Sequence, residues 1–247
     1  MKISPRGVLG AAFILAMCAL CVRLGFWQLD RLQQKRERNA ALVSKMSLPP
    51  LALDAAAADS IRRDPGRFVN RRVRAAGVYL PAGEVVLRGR VQDGRPGVHL
   101  VTPLAVGGTG AVVYVNRGWV PSPDAATADP APYAEPGARR VEGILQEVPV
   151  TRDGGAPAAA RAGGATTYRR LDLETLRRLA PGSVLPLYLQ QLPGADSARA
   201  APPVRLGAPA LDEGPHLGYA IQWFSFAAIG VVGLAILLLR ERRRASK

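Results

Sequence analysis

Residues Leu217–Leu239, LGYAIQWFSFAAIGVVGLAILLL, are 23 consecutive positions without a charged side chain. A helix of that length rises ~35 Å, enough to cross a ~30 Å hydrocarbon core. His216 stands immediately before it and Arg240-Glu241-Arg242-Arg243-Arg244 immediately after. The sequence therefore predicts a membrane helix over 217–239, followed by a basic tail over 240–247.

A second apolar stretch lies near the other end. Gly7–Leu24, GVLGAAFILAMCALCVRL, is interrupted only by Arg23, whose long side chain can snorkel to the headgroups. It is not read as a signal peptide. No Ala-x-Ala site follows at the right place, and in Leu15-Ala16-Met17-Cys18 a bulky Met17 occupies the position where a lipoprotein signal needs a small residue. The expectation is a first transmembrane helix over 7–27 after a short tail over 1–6. Lys2 and Arg6 flank this segment, and Arg240, Arg242, Arg243, Arg244 and Lys247 flank the other. Both termini are thus expected in the cytoplasm, with residues 28–215 on the outer side. The chain leads almost directly into the anchor with no Arg-rich transit segment. That favours a bacterium over a mitochondrion, with a central domain expected on the periplasmic side.

The formal charge is +14, from 33 Lys and Arg against 19 Asp and Glu. Nucleic acid is nevertheless not the expected partner. Residues 30–215 carry 25 basic against 18 acidic side chains, so half of the excess lies in the ends, and no aromatic platform accompanies the arginines. Both cysteines, Cys18 and Cys21, fall in the first apolar segment. They are read as small apolar residues of a membrane helix. The central domain holds no disulfide and must be stabilised by its own core.

Phe26–Ala41 continues the first helix without a breaker, and Pro49-Pro50 closes that region. Short β patterns follow at Arg67–Tyr79, Glu84–Val91, Val98–Leu104, Ala111–Val120 and Arg140–Gln146, each bounded by Gly, Pro, Asp or Asn. Leu171–Leu179 reads as a helix with Asp172 and Glu174 in its first turn and Pro181-Gly182 as its stop; Leu185–Leu192 reads as a last strand. Residues 121–137, 151–166 and 193–214, rich in Pro, Ala and Gly, are expected as flexible insertions. The fold class is an α+β membrane protein: N- and C-terminal transmembrane helices flanking a β-rich sandwich or small barrel with a short helix.

The usual catalytic signatures are missing. There is no G-x-S-x-G, phosphate-cradling glycine loop, H-E-x-x-H or C-x-x-C outside the membrane segment. A triad could draw only on His99 or His216. His99 lies in a strand pattern and is read as structural, so no enzyme is expected. His216 shares one helical face with Tyr219 and Trp223, and Gln222 places an amide about two turns into the membrane, where an unpaired polar group is costly. The first helix reaches the same leaflet at Trp27-Gln28, near Arg23 and Arg31. Such an interface suits an amphipathic, planar, partly anionic ligand. A haem has those properties: an apolar ring, an iron that takes neutral imidazole, and carboxylates that pair with Arg.

Four motifs occur in order between the two end helices. They are Leu24-Gly25-Phe26-Trp27-Gln28-Leu29-x-Arg31 with Lys35, Gly97-x-His99-x-Val101-x-Pro103-Leu104, Val115-Asn116-Arg117-Gly118-Trp119-Val120-Pro121, and His216-Leu217-x-Tyr219-Ala220-x-Gln222-Trp223-Phe224. Together they resemble the surfeit locus protein one family, cytochrome c oxidase assembly factors of bacterial and mitochondrial inner membranes. The resemblance covers nearly the whole chain. It implies a function in delivering haem a to, or stabilising it in, subunit I during oxidase biogenesis. It also implies transient haem a binding and, as partners, cytochrome c oxidase subunit I and other assembly factors. His216 is then the expected ligand of the haem iron. Tyr219, Gln222, Trp223, Trp27 and Gln28 are expected contacts of the same group, and Arg117 is expected to pair with a haem propionate or with the oxidase subunit. Pro215 stands where the family often has Asn. Gly118, between two large residues, reads as a bulge or a close backbone approach, with Trp119 packed on the core as the structural alternative. The rival reading is a membrane-anchored adaptor or sensor whose outer domain binds a protein partner without haem; His216 would then be dispensable.

Overall fold

The computed structural model describes residues 5–148, 161–162, 165–194 and 201–245. The chain divides into two compact units, Met1–Val43 with Ala210–Lys247, and Ser44–Pro209.

The first unit is a pair of helices, α1 (Pro5–Ser47) and α5 (His216–Ala245). Each is long and apolar enough to cross a membrane by length and composition. The segments expected over 7–27 and 26–41 are one helix of 43 residues, because no Pro interrupts it before Pro49. The two helices run antiparallel: Cys18 meets Gly230, Gly25 meets Phe224, Gln28 meets His216 and Arg36 meets Glu213. Buried positions recur on α1 at Cys18, Cys21, Gly25 and Leu32, and on α5 at Ala220, Ala227 and Leu234. Steps of three, four and seven on α1 and of seven on α5 keep one heptad-spaced face of each helix in the seam. A Cβ on Gly25 would lie 2.6 Å from the Phe224 ring, and one on Gly230 would lie 2.5 Å from Cys18 Sγ. The helices meet closely where their side chains are smallest, which gives Cys18 and Cys21 their packing role.

The second unit begins with β1 (Leu51–Ala52), α2 (Ala55–Arg63) and α3 (Pro65–Phe68). Strands β2 (Arg72–Tyr79), β3 (Val85–Gln92), β4 (Arg95–Val106), β5 (Ala111–Pro121) and β6 (Ala138–Glu147) follow. Then come β7 (Arg161–Ala162), β8 (Ala165–Tyr168), α4 (Leu173–Leu179) and β9 (Ser183–Gln191). Five strands, β2-β6-β9-β5-β4, close into a barrel because β4 also pairs with β2 through Gly77↔Val106, Val78↔Ala105 and Tyr79↔Leu104. The β5–β9 pair is parallel and the other four are antiparallel. Beyond β4 the sheet runs on through β3, β8 and β7.

One core gathers Val73, Leu104, Val113, Val115, Leu145, Leu187 and Leu189, with Ala58 and Ile61 from α2. Alternate residues of β5 turn the other way, and Val112 and Tyr114 join Val85, Leu87, Val101 and Leu176 of α4 in a second core. Strand β5 is therefore buried on both faces from Ala111 to Val120, the reason its sequence is a near-continuous apolar run.

The fold is thus of the expected class, with a closed barrel rather than a sandwich. The strand expected from Arg67 starts instead at Arg72. Asp64 caps a helical turn, its Oδ1 accepting from Arg67 N at 3.3 Å, and Pro65 fits the first helical position. Helix α2 was not expected; Asp54 starts it by accepting from Ala57 N at 2.8 Å. Residues 121–137 carry side chains that pack: Ala128 and Tyr133 lie against Val86, Val98, Leu100 and Val120. Residues 151–166 fall mostly outside the described residues, but Ala165–Tyr168 at their end forms β8, parallel to β3. Within 193–214, Val204 forms a bridge with Trp119.

Candidate functional site

Helix α5 starts at His216, directly after Pro215, whose carbonyl accepts from Tyr219 N at 3.1 Å, while Asp212 Oδ1 accepts from Gly214 N at 2.8 Å. His216 thus occupies the first turn. Its ring is half-buried, and Nδ1 lies 2.9 Å from Gln28 Oε1 on α1. An amide oxygen only accepts, so this bond selects the tautomer with the proton on Nδ1 and the lone pair on Nε2. Gly214 flanks that edge of the ring: a Cβ there would stand 3.4 Å from Nε2 and 3.3 Å from Cδ2. Among the described residues Nε2 makes no hydrogen bond, an arrangement that metal-binding histidines share. Among the described residues no group of three or more His, Cys, Asp and Glu could hold a metal ion.

The other residues expected on the helices are spread around this pair. Trp27 is exposed and carries the Arg31 guanidinium 5.5 Å from its ring centre. Tyr219 and Gln222 stand on open surface of α5. Trp223 is half-buried against Cys18, Cys21 and Ala227 and meets Phe226 edge-on, with ring centroids 6.0 Å apart. Only His216 and Gln28 of the set touch through polar atoms. Two features escaped the sequence reading. Phe224 closes over Gly25 and meets Phe26 edge-on at 5.3 Å, and Arg36 pairs with Glu213 at 2.9 Å. No spacing rule links side chains 177 residues apart; only the antiparallel register does.

Arg117 belongs to the barrel unit. Strand β5 slips against β4 here: Leu100 faces Gly118 and Val101 faces Asn116, so Arg117 is the extra residue of a bulge. Its side chain is 2% exposed. Nε donates to Glu135 at 3.3 Å, Nη1 to Glu84 at 3.2 Å and Thr102 at 3.4 Å, and Nη2 to Glu135 at 2.8 Å and to the Tyr133 carbonyl. The Tyr79 ring centre lies 5.2 Å from the guanidinium. Burial pushes the Glu84 carboxyl above its ordinary range, against the hydrogen bond from Thr102 and the charge of Arg117. At Glu135 burial acts the same way, but the bonds from Arg205 and Arg117 outweigh it and hold the carboxyl below its ordinary range.

The same bulge receives the chain on its way to α5. Gly118 has φ +122°, and a Cβ there would lie 2.1 Å from the Val204 carbonyl oxygen. Trp119 and Val204 exchange backbone hydrogen bonds of 2.9 and 2.7 Å. Arg205 donates to the Arg117 carbonyl and to Glu135, both at 2.6 Å. The bulge and close approach expected at Gly118 are both present, and Trp119 is buried. Arg117 has spent its donors inside the unit, so an expected propionate contact would require it to release Glu84 or Glu135.

His99, on β4, lies 3.2 Å from Asn116 Nδ2 through its Nδ1, and its pKa is pushed down to about 4 by burial and then by the nearby Arg90 charge. It is an uncharged structural group.

Residues 15–228 match the model of the SURF1 family. A SURF1-like protein of Mycobacterium bovis is 29% identical over 95% of this chain and 85% of its own length. A SURF1-like protein of Monosiga brevicollis is 29% identical over 87% of this chain and 82% of its own. A Saccharomyces cerevisiae protein named cytochrome oxidase assembly protein SHY1 is 32% identical over 46% of this chain and 28% of its own length. The family match runs from inside the first helix, through every strand of the barrel, to the His216–Phe224 turns of the second helix: this chain belongs to the SURF1 family.

Proposed function

We propose that this protein is a cytochrome c oxidase assembly factor, anchored by α1 and α5 in a bacterial inner membrane with both termini cytoplasmic and the barrel periplasmic. It holds haem a at His216 and so assists delivery of haem a to subunit I, or its retention there. The observation that carries this reading is the His216–Gln28 pair, which fixes Nδ1 and leaves Nε2 beside Gly214. The oxidase role is supported by family membership and by the name of the yeast relative.

Bound haem a supplies an iron able to take an imidazole nitrogen, on a ring too apolar to travel through water. The chain does the rest. Gln28 orients the imidazole, Gly214 leaves its free edge uncrowded, and Trp27, Tyr219, Gln222 and Trp223 provide aromatic and amide contacts. Arg117 contributes from the barrel unit by keeping the Val204–Arg205 segment on β5. No bond of a substrate is made or broken, so the factor works by holding rather than by catalysis.

The test is an absorption spectrum of the detergent-purified protein from cells that also make haem a. A haem a spectrum is expected in the parent and lost in His216→Ala. Gln28→Leu should keep the helices but reduce haem loading about 10–100-fold, the usual penalty for removing a partner that orients a metal-binding histidine. Absence of haem from parent and variants alike overturns the haem-holding reading. Reporter fusions near Gly108 and after residue 245 check the orientation, with only the first expected to be active outside the cytoplasm.

A further inference from the structure

Strand β3 breaks step with β4 between Leu87 and Arg90. Arg88 and Arg90 therefore sit on an irregular stretch around Gly89, whose N–H donates to the Ala125 carbonyl at 2.6 Å. Strand β8 runs parallel to β3 with Tyr168 beside Leu87, so Arg169 and Arg170 continue alongside. These four arginines line one groove of about 650 Å³, together with Asp124. Arg90 Nη2 donates to the Arg169 carbonyl at 3.4 Å, which ties the two strands' basic residues together.

Asp124 brings one negative charge against four positive ones and forms no ion pair with them. Its carboxylate accepts from the hydroxyls of Ser122 and Thr127 and from the N–H groups of Ala126 and Thr127. Those bonds hold it far below the usual carboxylate range and commit it to its own loop. Among the described residues, none of the four guanidinium groups has a carboxylate within 4 Å. Arg90 Nε is buried without an acceptor. Elsewhere in the same unit arginines are treated differently: Arg72 and Arg74 share Glu142, and Arg117 and Arg205 share Glu135. Like charges gathered on neighbouring strands repel, and forked guanidinium groups match the paired oxygens of carboxylate and phosphate.

We propose that this groove binds a ligand carrying two or more oxyanions, carboxylate or phosphate, through Arg88, Arg90, Arg169 and Arg170. The site is independent of His216, and haem loading is expected to be unchanged when it is disabled.

The test uses the full chain in neutral detergent at fixed ionic strength, titrated with sodium pyrophosphate and, separately, with citrate. Binding heat and thermal midpoint are read. Saturable binding of at least one anion, with a raised midpoint, is expected, and the anion that binds identifies the oxyanion class. Arg169→Gln/Arg170→Gln and Arg88→Gln/Arg90→Gln should each weaken it at least tenfold. Arg169 and Arg170 are exposed, so the first double variant keeps the fold. Without anion and at low salt, that variant should melt no lower than the parent, because removing two of four like charges relieves repulsion. No saturable binding of either anion, or parent-like affinity in both double variants, overturns the proposal. A lower melting point for Arg169→Gln/Arg170→Gln without anion does so too, since the charges would then already be compensated.

Discussion

At the scale of single residues, the barrel's stability turns on charges that have left water. Arg117→Ala would strand Glu84, 7% exposed and already pushed toward its neutral form. Breaking a buried pair from one side costs about 3–5 kcal/mol. The loss should appear in urea unfolding, and Glu84→Gln in the same chain should restore part of it, because no uncompensated charge is then left. His99 makes a different prediction. Its folded pKa, about 4, lies below the ordinary value near 6.5. As pH falls through that window the unfolded chain binds a proton that the folded chain refuses, so stability falls toward acid, by up to roughly 3 kcal/mol. His99→Gln should remove most of that difference between urea midpoints at about pH 7 and about pH 4.5. Under the proposed function it should leave haem a loading unchanged.

Among the elements, the β5 bulge joins the barrel to the segment that leads into α5. Gly118→Ala asks an L-residue to adopt φ +122° with its Cβ 2.1 Å from the Val204 oxygen. The strain costs about 1–3 kcal/mol, and relief comes by lifting residues 201–205 off the strand. Limited proteolysis should cut that segment sooner in the variant while the five barrel strands stay protected. Which elements could be foreseen follows from what marked them. Strands β3, β4, β5, β6 and β9 alternate or run apolar between Gly and Pro, and α4 announces itself by Asp172, whose side chain accepts from Thr175 N. Helix α2 is Ala-rich and short, with its signal in one cap residue, Asp54. Strand β8 is four residues long at the end of a Pro-Ala-Gly stretch, and its pairing with β3 comes from tertiary contact alone. His216 and Gln28 were legible as candidates from their places on two apolar segments. The pairing of Arg117 with Glu84 and Glu135 was not, since a bulge redirects a side chain in a way that no spacing announces.

For the whole molecule, barrel closure depends on the last strand. Strand β9 lies between β5 and β6 and bonds to both. A chain ended after Ala180 would leave two sheet edges unpaired and exposed to other chains. A chain ended after Pro209 retains the whole second unit. The longer fragment should accumulate as a protease-resistant domain, and the shorter one should aggregate or be degraded, as read by abundance and proteolysis. The same connectivity sets a clock during synthesis. Ribosomes add about 5–20 residues per second, and β6 ends at Glu147 whereas β9 starts at Ser183. For a few seconds every nascent copy carries four strands waiting for a fifth. The hazard of making this protein is therefore concentrated in one interval of translation, when a holding chaperone would find its client.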